Sequence, residues 1–180
     1  MDAPDGQRKA APAWHDRGMA VDITRERADT PDAAALVREL EDHLASRYPA
    51  ESRHGLSVGQ LVDQGVHFFV LRADGIPAGC GGVLLVSAGD GEPDRYAEIK
   101  RMYTRPVHRG KGYGRQVLNH LIAHARGEGF DLVRLETGIE QVEAIRLYES
   151  VGFRPCPPFG PYREDPLSPC YELRPAPAGG

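Results

Sequence analysis

The segment RPVHRGKGYGR, Arg105 to Arg115, sets glycines at alternate positions 110, 112 and 114, with Arg109, Lys111 and Arg115 interleaved. Before it, AEIKRMYT from Ala97 to Thr104 reads as a strand that Pro106 ends. After it, GYGRQVLNHLIAHARGEGF repeats Val117, Leu118, Leu121 and Ile122 at helical spacing and stops near Gly127 to Gly129. A strand that passes through a glycine-rich turn into a helix leaves backbone N–H groups unpaired at the positive end of the helix dipole. Glycine permits positive φ and lets a phosphate approach the main chain, so the segment reads as an anion cradle able to take a pyrophosphate. It is not a P-loop, because Gly112 follows Lys111 where Ser or Thr would be required. It also departs from the dinucleotide fingerprint, since GKGYG runs GxGxG and an antiparallel hairpin precedes it. A tight charged surface turn satisfies the same residues, so the rest of the chain has to decide.

Around this segment the patterns alternate. VDIT, Val21 to Thr24, predicts a strand, and AAALVRELEDHLASRY predicts a helix entered through Thr30 and Pro31. VHFFVLRADGIPAGCGGVLLVS carries two strand-like runs about Asp74-Gly75, with Gly79, Gly81 and Gly82 suggesting a bulge. DLVRLET is a further strand, VEAIRLYESVGF a helix closed by Gly152, and CYELR a last strand beyond a proline-rich loop from Pro155 to Pro169. The order is mixed α/β, antiparallel first and βαβ-like later, without an internal repeat. A chain of 180 residues suits one domain, expected over 19–174, with flexible tails at 1–18 and 175–180 that are rich in Ala, Pro and Gly.

The charge balance is 22 Lys+Arg against 26 Asp+Glu, a formal charge of -4 with a pI of about 6.0. No overall basic field is available for nucleic acid or an anionic membrane, so neither is an expected partner and any anion site must be local. The acidic, proline-bearing start and the lack of an apolar run of about 18 residues lead us to expect a cytoplasmic protein. Cys80, Cys156 and Cys170 fit neither a disulfide framework nor metal-binding spacing and are expected to be free thiols. His120 and His124 lie four apart, but HLIAH lacks the zincin glutamate and offers no third ligand; solvated histidines and no metal are expected.

Taken together, RGKGYG, the strand AEIKRMYTRP ahead of it and the LET and EAIRLYESVGF segments behind it resemble the GNAT superfamily of acyl-CoA-dependent N-acetyltransferases. The likeness covers about Ala97 to Phe153 in detail and the element order from Val21 onward. The ending PPFGPYREDPLSPCYEL is similar to bacterial small-molecule members. The resemblance implies an α/β fold whose twisted, mostly antiparallel sheet is split at the fourth and fifth strands and flanked by helices. It implies acetyl-CoA as co-substrate, with the pyrophosphate on Arg109, Gly110, Lys111, Gly112, Tyr113, Gly114 and Arg115 and the cofactor arm beside Met102, Tyr103 and Thr104. Gln141 stands where the family commonly has Asn, and Thr104 where it often has Val.

The implied chemistry is transfer of the acetyl group to a primary amine of a small molecule in a ternary complex, without a metal. Tyr148 matches the tyrosine that protonates the departing thiolate, although helical spacing also allows it only to pack. Glu98 is the leading base; a solvent-facing strand charge opposite Lys100 or Arg101 is the alternative. Glu136 is a second carboxylate, an anchor for the substrate amine, while Arg101, Arg105 and Arg163 are candidates to meet a carboxylated acceptor. A catalytically degenerate acyl-CoA-binding or regulatory module, an O-acetyltransferase and an interaction domain remain the alternatives. A homodimer is compatible with the superfamily.

Overall fold

The computed structural model describes residues 20–49, 55–89 and 94–175. The tails expected at 1–18 and beyond 175 lie outside the described residues. Seven strands form one sheet in the order β1-β2-β3-β4-β5-β7-β6. They are β1 (Val21–Glu26), β2 (His67–Ala73), β3 (Ile76–Val86), β4 (Tyr96–Thr104), β5 (Val133–Glu136), β6 (Arg154–Cys156) and β7 (Cys170–Leu173). Every neighbouring pair is antiparallel except β4 with β5. The helices are α1 (Pro31–Ala45), α2 (Val58–Asp63), α3 (Tyr113–Gly127) and α4 (Val142–Val151).

The alternation of side chains along β2 explains why the sheet is covered on both faces. Phe68 and Val70 pack with Leu36, Val37 and Leu61 of α1 and α2. Phe69, Leu71 and Ala73 point the other way, into the cluster built by α3 and α4. Two faces, each closed by helices, therefore follow from a period of two in one strand. The hairpin β2-β3 turns at Asp74 and Gly75, both at positive φ as the Asp-Gly pair suggested.

Two irregularities of β4 shape the site. It pairs with β5 only over Ala97–Ile99, opposite Val133–Leu135; beyond Ile99 the two parallel strands part. On its other side the register jumps from Gly82↔Lys100 to Cys80↔Tyr103, so that Gly81 faces both Arg101 and Met102. Arg101 takes up this β-bulge at φ 53, a left-handed conformation uncommon for a side chain other than Gly or Asn. Glycine is required at 81 by close approach, because a Cβ there would sit 2.8 Å from Leu121 and 3.1 Å from Met102 and Val117.

The element order matches the sequence reading, with two additions. Ser57 opens α2 with a capping box, its hydroxyl accepting from Gln60 N–H while the Gln60 amide oxygen accepts from Ser57 N–H. The short β6 pairs with β7, placing Cys156 opposite Cys170; all three cysteines are free thiols. His120 and His124 are not simply solvated: both pack edge-on against Phe69, and His124 Nε2 lies 2.7 Å from His67 Nδ1.

Candidate active site

The parting of β4 from β5 opens a cleft that α3 and α4 enter by their N-termini. Its larger part, about 560 Å3, is lined by Met102, Tyr103 and Thr104 of β4, the glycine turn, the start of α3 and one side of α4. Gly110 and Gly112 have φ of 75 and 78, and the space where a Cβ would stand is open at both. Gly112 is the N-cap of α3, with no side-chain cap. The first N–H groups of that helix thus have no acceptor inside it and face an open cleft at the positive end of its dipole. Arg109 and Arg115 line the same space and are steadied within the chain, Arg109 Nε donating to the Thr104 carbonyl at 3.2 Å and Arg115 to Ser150 Oγ at 2.7 Å. Lys111 is exposed and stands outside the lining. Gly114 faces α4, where a Cβ would meet Leu147 at 3.4 Å. His108 Nδ1 and the Tyr113 hydroxyl are buried without a hydrogen-bond partner among the described residues, both beside the cleft.

A smaller cavity of about 90 Å3 continues inward from the same opening. Ile99 to Met102 form one wall and Leu135 to Gly138 the other, the two sides of the split sheet. Tyr48, from the chain just beyond α1, closes over it: its hydroxyl accepts the Glu140 N–H at 2.8 Å and its ring fills the space a Cβ at Gly138 would need. Tyr148, Met102, Gln141 and Leu40 line both spaces. Tyr148 is 6% exposed. Burial, and secondarily the Glu136 carboxylate, push its hydroxyl well above the ordinary phenol range, so it keeps its proton at any working pH.

Glu98 is not a solvent-facing strand charge. It is 2% exposed and closes a buried triad, in which Lys100 Nζ donates to Glu98 Oε1 at 2.5 Å and to the Tyr162 hydroxyl at 2.7 Å, and Tyr162 donates to the same carboxylate oxygen at 2.5 Å. Lys100 and Tyr162 line the inner cavity, whereas Glu98 stands behind them. Burial first, then the adjoining Glu98 carboxylate, raises the Tyr162 hydroxyl far above its ordinary value. Glu136 lines the cavity itself and accepts a hydrogen bond from Ser168 Oγ.

Of the three candidate arginines, Arg101 lines the cavity but is occupied in holding it together: its Nε donates to the Leu56 carbonyl at 2.7 Å and its guanidinium pairs with Glu41 at 2.9 Å. Arg105 is gripped by Glu39 of α1 at 2.7 Å, and Arg163 bonds the carbonyls of Tyr162 and Gly160. Neither lines the cavity. Tyr48 and Tyr162 were missed by the sequence reading, because Tyr162 lies 64 residues from Glu98 and Tyr48 92 residues from Glu140, and only packing of the folded chain makes them neighbours; Lys100, two positions from Glu98, was read only as a neighbouring charge.

The sequence profile of the acetyltransferase (GNAT) family matches residues 37–153, which span the split sheet, the glycine turn and α4. The chain belongs to the GNAT acetyltransferase family. It is 38% identical over 148 residues, 82% of this chain and 94% of the other, to an IAA acetyltransferase of Azospirillum brasilense. It is 37% identical over 136 residues, 74% of this chain and 86% of the other, to the uncharacterised N-acetyltransferase YsnE of Bacillus subtilis. Among solved structures, one from Klebsiella pneumoniae described as an acyl-CoA N-acyltransferase superposes with a TM-score of 0.68 at 31% identity, covering 84% of this chain and 95% of that one. An acetyltransferase from Salmonella typhimurium, solved with its cofactor acetyl-CoA, shares the fold at a TM-score of 0.62 and 24% identity, covering 88% of this chain and 96% of that one. This GNAT protein is an acyl-CoA-dependent acetyltransferase. Among the described residues, no helix is long and apolar enough to cross a membrane.

Proposed function

We propose that this GNAT enzyme transfers the acetyl group of acetyl-CoA directly to the primary amine of a small molecule, with both substrates held in one ternary complex. The observation that carries this reading is the meeting of two spaces beside Tyr148: a glycine-rich cleft of about 560 Å3 with uncapped helix N–H groups on one side and a small cavity of about 90 Å3 on the other. The cleft suits a long phosphorylated donor, and the cavity leaves room for only a small acceptor. The Azospirillum brasilense relative named for acetylating IAA supports an acceptor of small-molecule size.

The chain's own residues fit the donor. Gly110, Gly112, Tyr113, Gly114 and Arg115 would hold its pyrophosphate on main-chain N–H groups, with Arg109 adding charge, and Met102, Tyr103, Thr104 and Gln141 would line its arm. Lys111 adds positive charge from the rim. When bound, acetyl-CoA supplies the acetyl group as an activated thioester. Tyr148 is the proton donor for the departing sulfur, a role that a hydroxyl kept protonated by burial can fill. The acceptor must lose a proton to attack. Glu136 meets its ammonium in the cavity, and Glu98 accepts the proton at one remove through the Tyr162 hydroxyl, which touches both the cavity and the carboxylate. Arg101 shapes the acceptor end through its hold on Leu56.

Incubation with acetyl-CoA and a panel of small amines, read by release of free thiol and by product mass, tests the proposal. Acetylated amine formed without an acetylated protein intermediate is the expected result; an acetyl-enzyme that forms and then decays, or turnover only with alcohols, would contradict it. Steady-state kinetics sort the carboxylates. Glu98→Gln should chiefly lower kcat, while Glu136→Gln should chiefly raise KM for the amine.

A further inference from the structure

At the far end of α3 a second group of chemistry-bearing side chains converges. His124 and Glu128 lie four residues apart and so share one helix face, with Glu128 as the C-cap residue of α3. His67, the first residue of β2, comes up beside them. His67 Nδ1 is 2.7 Å from His124 Nε2, and one ligand atom from each of His67, His124 and Glu128 lies within 4.8 Å of the others. The two histidines are half-buried and Glu128 is exposed, so the cluster has a wall on one side and an opening to solvent on the other. Phe69 forms that wall, its ring edge-on to His124 at 4.9 Å and to His120 at 4.6 Å, which fixes the plane of the His124 imidazole.

The direct hydrogen bond between the two imidazoles uses one nitrogen of each, and the Glu128 carboxylate brings an oxygen within 4.8 Å of both. Two nitrogens and one oxygen converging from a strand and a helix are a donor set for a metal ion, with a fourth position left to water. Metal–nitrogen bonds of about 2.0–2.1 Å in a tetrahedral site put neighbouring donors roughly 3.4 Å apart. The two ring nitrogens must therefore separate by well under an ångström, within reach of small side-chain rotations. Imidazole donors favour zinc, cobalt, nickel or copper over magnesium or calcium. The location is independent of acetyl transfer: His124 lies eleven positions beyond Tyr113, roughly 16 Å along the helix at 1.5 Å per residue.

We propose that His67, His124 and Glu128 form a binding site for a divalent transition-metal ion of the zinc type, clipping the last turn of α3 to the start of β2. Occupancy would tie the C-terminal end of the helix whose N-terminus carries the phosphate cradle.

The test uses the full chain stripped of metal by a chelator and titrated with Co2+ and with Zn2+ alone, read by calorimetry and visible absorption. The expected result is one equivalent bound with a Kd at or below about 10 μM, cobalt bands without thiolate charge transfer, displacement by Zn2+ and a raised Tm. His67→Gln and His124→Gln should each weaken binding by about tenfold or more. Glu128→Gln, a change at an exposed side chain that leaves the packing intact, should weaken it as well and keeps the test sound if a histidine variant fails to fold. Less than about half an equivalent bound at about 100 μM free Zn2+, thiolate charge-transfer bands, or wild-type affinity in Glu128→Gln would overturn the proposal.

Discussion

Tyr148, one of four residues that line both the cleft and the inner cavity, is the proposed acid, and removing its hydroxyl separates chemistry from packing. Tyr148→Phe keeps the ring among Phe153 and its neighbours, so acetyl-CoA affinity and Tm should hardly change while kcat falls about 10²-fold or more. Because burial holds the hydroxyl protonated, the fold-loss should be the same at pH 7 and at pH 9; a loss that vanishes on the alkaline side would mean that the hydroxyl titrates in the working range. The buried triad behaves differently. Lys100→Met leaves Glu98, 2% exposed, deprived of its cation, a change worth about 3–5 kcal/mol of stability, measurable by denaturant unfolding. An effect below about 1 kcal/mol would show that the pair is effectively solvated. At this scale the sequence was legible where position follows a local pattern: the LYxxxGF spacing puts Tyr148 on the buried side of α4, and the alternating glycines put Gly112 at the N-cap of α3. Tyr162 and Tyr48 were illegible because no spacing along the chain announces a contact between residues 64 or 92 positions apart. Glu98 was found as a residue but not in its setting, since a strand pattern does not tell that Lys100 and Tyr162 stand between it and the cavity.

At the scale of elements, the start of α3 and the bulge of β4 do the positioning. The bulge turns Arg101 toward Leu56 and parts β4 from β5 just where Tyr148 approaches. The presence of glycines opposite it, in β3, was readable as an irregularity; the left-handed Arg101 was not, because arginine gives no signal for that conformation. α2 was missed although its signature was printed in the chain: Ser57 followed three positions later by Gln60 is a capping box, overlooked because the helix spans only Val58–Asp63 and has a single fully buried side chain, Leu61. Ser57→Ala should lower stability by about 1 kcal/mol without altering acetyl-CoA binding, read as a shift in the denaturant midpoint with unchanged calorimetry. No shift would mean that α2 is held by Leu61 alone.

Over the whole molecule, the antiparallel start and the βαβ-like end were legible in the succession of strand and helix patterns and the split between β4 and β5 came from the family resemblance, whereas the composition of the inner cavity depends on segments drawn from four distant parts of the chain. The same packing gives the protein an alkaline limit. Burial pushes the Cys80 thiol from an ordinary value of 9.0 up to about 12. A thiol that ionises more easily in the unfolded chain contributes its stability fully below pH 9 and loses it as pH rises from 9 toward 12, at about 1.4 kcal/mol per pH unit. Cys170, raised to about 12, and Cys156, raised to about 11, act in the same direction. Tm should therefore fall above pH 9, less steeply in Cys80→Ala; an identical slope in that variant would remove Cys80 from the explanation. The most direct test of the account as a whole is calorimetric titration of acetyl-CoA into the wild type and into Gly112→Asp, which places a side chain and a negative charge at φ 78 in the mouth of the cleft. Micromolar binding by the wild type, abolished in a Gly112→Asp protein that keeps its circular dichroism and cooperative melting, is the expected result. Equal binding by a folded Gly112→Asp would show that the donor's phosphates lie elsewhere, and the proposed meeting of donor and acceptor at Tyr148 would fall with them.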